Sequence, residues 1–175
     1  MKLLRWTRFT WELATLPEPK TSLESHYRIR MASRDEEETV RHVVMSAFAL
    51  DSAWADTLKS IREWLDAHLD ETFAHKGVQH CLVITHGTRI IGASAITAEP
   101  EAETHLLTGP CILNEYCNRG LGSLLLHQSL VTLRELGLER ARAISKDNVP
   151  ASKFVFPKFQ SVCEPIDFEP ALVGS

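Results

Sequence analysis

The chain has 175 residues, 44% hydrophobic and 24% charged, a balance that excludes a largely disordered protein and fits one domain. Nineteen Lys and Arg against 23 Asp and Glu give a net charge of −4, the wrong sign for a non-specific nucleic-acid binder. No stretch approaches the about 18 uninterrupted apolar residues of a membrane span, and Met1 to Arg8 lacks the apolar run of a secretory leader.

Residues 1–25 stand apart as an N-terminal extension, with Trp6, Phe9 and Trp11 ahead of a Pro17-Glu18-Pro19 break. Three aromatics in so short a segment predict an extra strand or an interface. Residues 26–175 carry the regular pattern of a domain. Tyr27 to Met31 alternates apolar and polar, as a half-buried strand does. Ser33-Arg34-Asp35-Glu36 fits the capping box that opens a helix, and the acidic run Asp35 to Glu38 suits a helix N-terminus. Val40, Val43, Val44 and Phe48 form its apolar stripe.

A second helix is expected over 52–75, with Trp54, Leu58, Ile61, Leu65 and Leu69 near helical spacing. Cys81 to Ile84 and Ile90 to Ala93 then read as a hairpin about His86-Gly87-Thr88. Glu99-Pro100-Glu101 turns into a strand from Leu106 to Leu113. A helix from Leu124 to Leu136 follows, closed by Gly137. Ala141 to Ile144 reads as a strand, Ala151 to Phe156 as a short helix, and 162–172 as edge strand or loop because of Pro165 and Pro170. The order β, α, α, β, β, β, α, β, α, β predicts an α/β or α+β fold with helices covering a mixed sheet.

The four cysteines at 81, 111, 117 and 163 make no C-x-x-C pair and lie at no zinc-finger spacing, so no metal site is expected. Free thiols and the absence of a leader point to the cytoplasm.

The segment that carries chemistry is Cys111 to Ser123, an apolar strand running into a glycine-bearing turn at the start of an amphipathic helix. Gly120 and Gly122 let backbone approach a ligand, since no Cβ intervenes. The helix start offers N–H groups and a positive dipole end to a phosphate. A Walker A loop requires a lysine before Ser123. A dinucleotide loop requires a third glycine where Leu125 stands. A coenzyme A pyrophosphate loop is the third reading, and a plain helix entry explains the two glycines equally well.

From Tyr27 to Phe159 the sequence resembles the GNAT superfamily of acyl-CoA N-acyltransferases, whose elements follow the same order. The family's Q/R-x-x-G-x-G/A signature aligns with Cys117-Asn118-Arg119-Gly120-Leu121-Gly122, and Asn148, Ala151 and Val155 to Phe159 resemble its later N…A…(L/F)-Y-x-K motif. The resemblance implies an acetyl-CoA-dependent N-acetyltransferase without a metal, acting on a primary amine of a small molecule or peptide. Cys117, Asn118, Arg119, Gly120, Leu121, Gly122 and Ser123 would hold the pyrophosphate. Ile112, Leu113 and Asn114 would hold the pantetheine arm and acetyl group, with Ile112 or Leu113 N–H polarising the carbonyl. Asn148 would contact the pantetheine or the acceptor. Glu103 and His105 are the candidate general bases, with His80 a weaker third. Phe48, Leu50, Asp51 and Trp54 would wall the acceptor site.

Two residues depart from the family pattern. Cys117 stands where Gln or Arg is usual, leaving Arg119 to supply charge. Phe156 stands at the tyrosine that often protonates the departing thiolate, so Phe156→Tyr is expected to raise turnover if that position acts as the acid. These departures favour, as an alternative, an acyl-CoA-binding sensor on the same fold. No membrane or nucleic-acid partner is expected, and a homodimer is.

Overall fold

A computed structural model describes residues 6–50, 58–74, 79–147 and 149–167. The strands are β1 (Trp6–Glu12), β2 (Tyr27–Met31), β3 (Gln79–His86), β4 (Arg89–Thr97), β5 (Cys111–Ile112), β6 (Arg140–Lys146) and β7 (Val162–Ile166). The helices are α1 (Glu37–Leu50), α2 (Leu58–Phe73) and α3 (Leu121–Glu135). The expected α+β architecture is present, with its sheet divided in two. One half has the order β2-β3-β4-β5, the other β6-β1-β7, and every strand pair among the described residues is antiparallel.

The three N-terminal aromatics lie within β1. β1 is the middle strand of the second half, paired from Trp6↔Lys146 to Glu12↔Arg140 on one side and from Trp6↔Ile166 to Thr10↔Val162 on the other. Its aromatics are buried, with Phe9 and Trp11 in one core and Trp6 in another. The Trp11 indole N–H donates to the Lys158 carbonyl at 2.9 Å, satisfying the one polar atom that burial would otherwise strand. Phe9 and Trp11 are spent on the interior, and Trp6 also reaches the cavity described below.

The capping box is present. Ser33 N–H donates to Glu36 Oε1 at 2.8 Å, and it opens a 3₁₀ turn, Arg34–Glu36, that leads into α1. Arg41 on α1 holds α2 through Asp66 and, at 2.8 Å, Asp70. Val40, Val43 and Val44 pack with Ile61, Leu65 and Leu69 against the strands. On the other face α3 buries Leu125, Leu126, Leu130 and Leu133 completely, each worth about 2–5 kcal/mol against truncation to alanine. No helix among the described residues is long and apolar enough to cross a membrane.

The strand expected from Leu106 to Leu113 is broken. A single bridge joins Ile96 to Leu106, and regular pairing resumes only at Cys111–Ile112. Between them Gly109 adopts φ +65°, and Pro110 has no N–H to give the ladder. β5 lies close against β4 because Gly92 has no side chain. A Cβ there would stand 2.6 Å from Ile112 Cδ1 and 2.9 Å from the Cys111 carbonyl oxygen.

The two halves of the sheet meet at one end and part at the other. At the closed end the N–H groups of His105 and Leu106 donate to the Arg142 carbonyl at 2.7 and 3.3 Å. Further along, Ile112 on one side and Ile144 and Ser145 on the other line an open cavity.

Candidate active site

The cavity measures about 760 Å³ and runs between the separated strands. One end is the loop from Cys117 into α3. Asn118 and Gly120 both take left-handed backbone, φ +63° and +76°, which turns the chain sharply into the helix. No side chain caps α3, so its first N–H groups have no partner from a capping residue. Gly122 and Ser123 line the cavity there. A Cβ at Gly122 would meet Val155 and Ile112 at 3.9 and 4.0 Å, ordinary contact that leaves the backbone accessible. Lys158 lines the same end and donates its ammonium to Ser123 Oγ at 2.8 Å.

Of the residues singled out for a cosubstrate, Ile112, Asn114, Cys117, Asn118, Gly120, Leu121, Gly122 and Ser123 line the cavity together. Leu113 and Arg119 do not. Leu113 N–H is engaged with the Ile91 carbonyl at 2.8 Å. By the alternation of an antiparallel ladder, this turns the Ile112 N–H away from β4 and toward the opening. Ile112, not Leu113, is thus the free donor of the pair. The Arg119 guanidinium folds back onto the Tyr27 hydroxyl and the Glu115 carbonyl, both at 3.2 Å, and lies over the Tyr116 ring. The cation that reaches the loop is Lys158. Cys117 directs its thiol to the Ile112 and Leu113 carbonyls at 3.7 and 3.6 Å. Burial, helped by Glu115, raises its pKa, so it is no activated nucleophile.

The candidate bases lie elsewhere. His105 is 1% exposed. Its Nδ1 accepts the Arg142 N–H at 2.9 Å and its Nε2 donates to the Glu99 carbonyl at 3.0 Å. Both ring nitrogens are committed, and neither faces the cavity. Glu103 is exposed and His80 half-buried, and both are outside the cavity lining. Among the described residues no Asp, Glu or His lines it. Asn148, Asp51 and Trp54 lie outside the described residues.

Phe156 is buried and does line the cavity. The backbone reaches it through a π-type turn, Ala151–Val155, closed by Phe156 N–H donating to the Ala151 carbonyl at 2.8 Å. Its ring packs on Phe9 and Trp11, with centroids 5.3 and 6.1 Å away. The Tyr116 hydroxyl, the phenol nearest the loop in sequence, is hydrogen-bonded to His86 Nδ1 at 2.7 Å.

At the other end, Phe48 and Leu50 line the cavity as expected, joined by Trp6, Ala47, Ile61 and Trp64. Trp64 was detectable in principle, three residues after Ile61 on the same helix face. Trp6 becomes a wall only through pairing with a strand 140 residues away.

The chain belongs to the acetyltransferase (GNAT) family, whose model matches residues 47–155. No curated protein matches significantly. Among solved structures, a GCN5-related N-acetyltransferase from Sphaerobacter thermophilus aligns over 94% of this chain and 50% of its own, with TM-score 0.63 and 13% identity. One from Kribbella flavida aligns over 92% and 55%, with TM-score 0.55 and 12% identity. A GNAT family acetyltransferase from Brucella melitensis, solved in complex with acetyl-CoA, aligns over 66% and 73%, with TM-score 0.50 and 23% identity. The chain spans about half the length of the first two. At these identities the likeness concerns the fold.

Proposed function

We propose that the protein transfers an acetyl group from acetyl-CoA to a primary amine. The observation that carries this reading is one continuous cavity. It joins an uncapped glycine-bearing helix start to a free strand N–H at Ile112 and opens beyond into an aromatic chamber. The cosubstrate supplies the activated acetyl thioester. The residues present fit it: Gly120 and Gly122 leave backbone exposed to a pyrophosphate, and Lys158 adds a charge-assisted donor.

One step has a group in this chain. The Ile112 N–H supports the negative charge that develops on the acetyl oxygen. The amine must attack in its neutral form. With no carboxylate or imidazole in the described lining, its proton leaves through water. Phe156 has no proton to give, and a thiol with a pKa near about 8.5 leaves acceptably as thiolate at neutral pH. Positioning therefore supplies most of the acceleration. The free state of all four cysteines supports a reducing, cytoplasmic setting.

Phe156 and a described lining without Asp, Glu or His favour a second reading, an acyl-CoA-binding module without turnover. Calorimetric titration with acetyl-CoA, CoA and NAD, followed by CoA release over a panel of amines, tests both. Micromolar acetyl-CoA binding with CoA release is expected. Binding without release from any amine selects the module, and no binding by folded protein overturns both readings.

A further inference from the structure

The acceptor end of the cavity is built from large apolar side chains. Trp6, Phe48, Leu50, Ile61 and Trp64 wall it. Leu50, the last residue of α1, is 69% exposed. Apolar surface of this size left open at a cavity rim marks a place where a ligand completes the burial. The charge pattern is equally one-sided. The described lining holds no Asp or Glu, and its lysine, Lys158, is occupied with Ser123 at the opposite end.

We propose that the acceptor is a monoamine carried on an apolar, aromatic-sized body, and that polycations are excluded. This rests on the acetyl-transfer reading above. An aryl or alkyl body exchanges water for the indole and phenyl faces of the chamber. The described walls offer a second or third ammonium no carboxylate, so a polyamine would leave charges unpaired against them. A primary amine with one charge loses it on deprotonation before attack.

Binding rather than turnover tests this. Protein saturated with CoA is titrated with phenethylamine, methylamine and spermidine, read by calorimetry and by the fluorescence of the wall tryptophans. Phenethylamine is expected to bind at least about tenfold tighter than either other amine. Trp64→Ala should weaken it about tenfold, and Leu50→Ser, at an exposed helix end, about threefold, with CoA affinity unchanged in both. Spermidine binding as tightly as phenethylamine, or both variants binding phenethylamine like the parent, overturns the proposal. Failure of CoA itself to bind the parent overturns the acetyl-transfer reading and this one with it. CoA binding without amine discrimination overturns only this one.

Discussion

Arg142 donates its backbone N–H to His105 Nδ1 at 2.9 Å, and His105 returns its own N–H to the Arg142 carbonyl at 2.7 Å. With Nε2–H given to Glu99, the imidazole pins the closed end of the divided sheet as the neutral tautomer. Burial lowers its pKa, and lowers those of His68 and His127. The unfolded chain protonates near the ordinary value of about 6.5 and so binds more protons than the native state just below it. The stabilisation is complete above that pH and is lost as pH falls through the native pKa. His105→Ala leaves the Arg142 N–H and the Glu99 carbonyl without partners, at about 1–3 kcal/mol each. Thermal melting should drop by several degrees, and the fall in stability as pH drops below about 6.5 should be shallower than in the parent. An unchanged pH slope removes His105 from this account.

Gly122→Glu should abolish CoA binding while leaving the fold intact. Its Cβ meets only ordinary contacts at 3.9 and 4.0 Å, and glycine is a poor residue inside a helix, costing about 1 kcal/mol relative to alanine. The carboxylate, however, sits at a helix start where a phosphate is to bind. Melting should hold or rise, with CoA affinity reduced beyond a hundredfold. Retained affinity in folded variant would place the pyrophosphate elsewhere.

Lys158→Ala addresses the cation at that loop. Losing a charge-assisted donor of this kind should weaken CoA about three- to thirtyfold and flatten the dependence of affinity on salt. Arg119→Ala, whose guanidinium is turned onto Tyr27 and Glu115, should have the smaller effect. The reverse ranking would restore Arg119 to the phosphate.

The loop was legible in sequence because its requirement is a backbone one: left-handed φ and close approach select glycine, and the letter shows. The capping box was legible for the same local reason. His105 was not. A histidine at a strand end reads equally as a base or a pin, and the Arg142 amide that decides it lies 37 residues downstream. Trp6, Phe9 and Trp11 announced burial but not their partners. A middle strand whose Trp6 pairs with Lys146 and Ile166, 140 and 160 residues away, is a purely non-local arrangement. Gly109-Pro110 did carry the signal that the strand from Leu106 to Leu113 would break, outweighed by the apolar run around it.

Gly92→Ala should test how the cavity is kept open. The new Cβ would stand 2.6 Å from Ile112 Cδ1, 2.6 Å from Ile84 Cγ2 and 2.9 Å from the Cys111 carbonyl oxygen. Side-chain ends can turn away, but the carbonyl is backbone, so β5 must shift. Overpacking of this kind costs about 1–3 kcal/mol, and Ile112, the free donor at the opening, moves with the strand. Expected are a lower melting temperature and a reduced rate of acetyl transfer at saturating acetyl-CoA. A stability loss with an unaltered rate would mean that the Ile112 N–H does not act on the acetyl oxygen.

Phe156→Tyr is the substitution that the family pattern recommends, and the packing argues against it. An alanine-type Cβ at Gly109 would lie 3.0 Å from Phe156 Cζ, nearer than from Cε1 at 3.7 Å or Cε2 at 4.0 Å. The tip of the ring therefore points at the Gly109 backbone, and a hydroxyl on Cζ would enter the space that the missing side chain leaves. Gly109 itself has little freedom to yield, since its φ of +65° is set by the break before β5. The variant should lose about 1–3 kcal/mol of stability without a gain in turnover, measured as CoA release at several pH values. A rise in rate, with a new limb in the pH profile near the phenol pKa of about 10, would show that the hydroxyl finds room and reaches the departing sulfur.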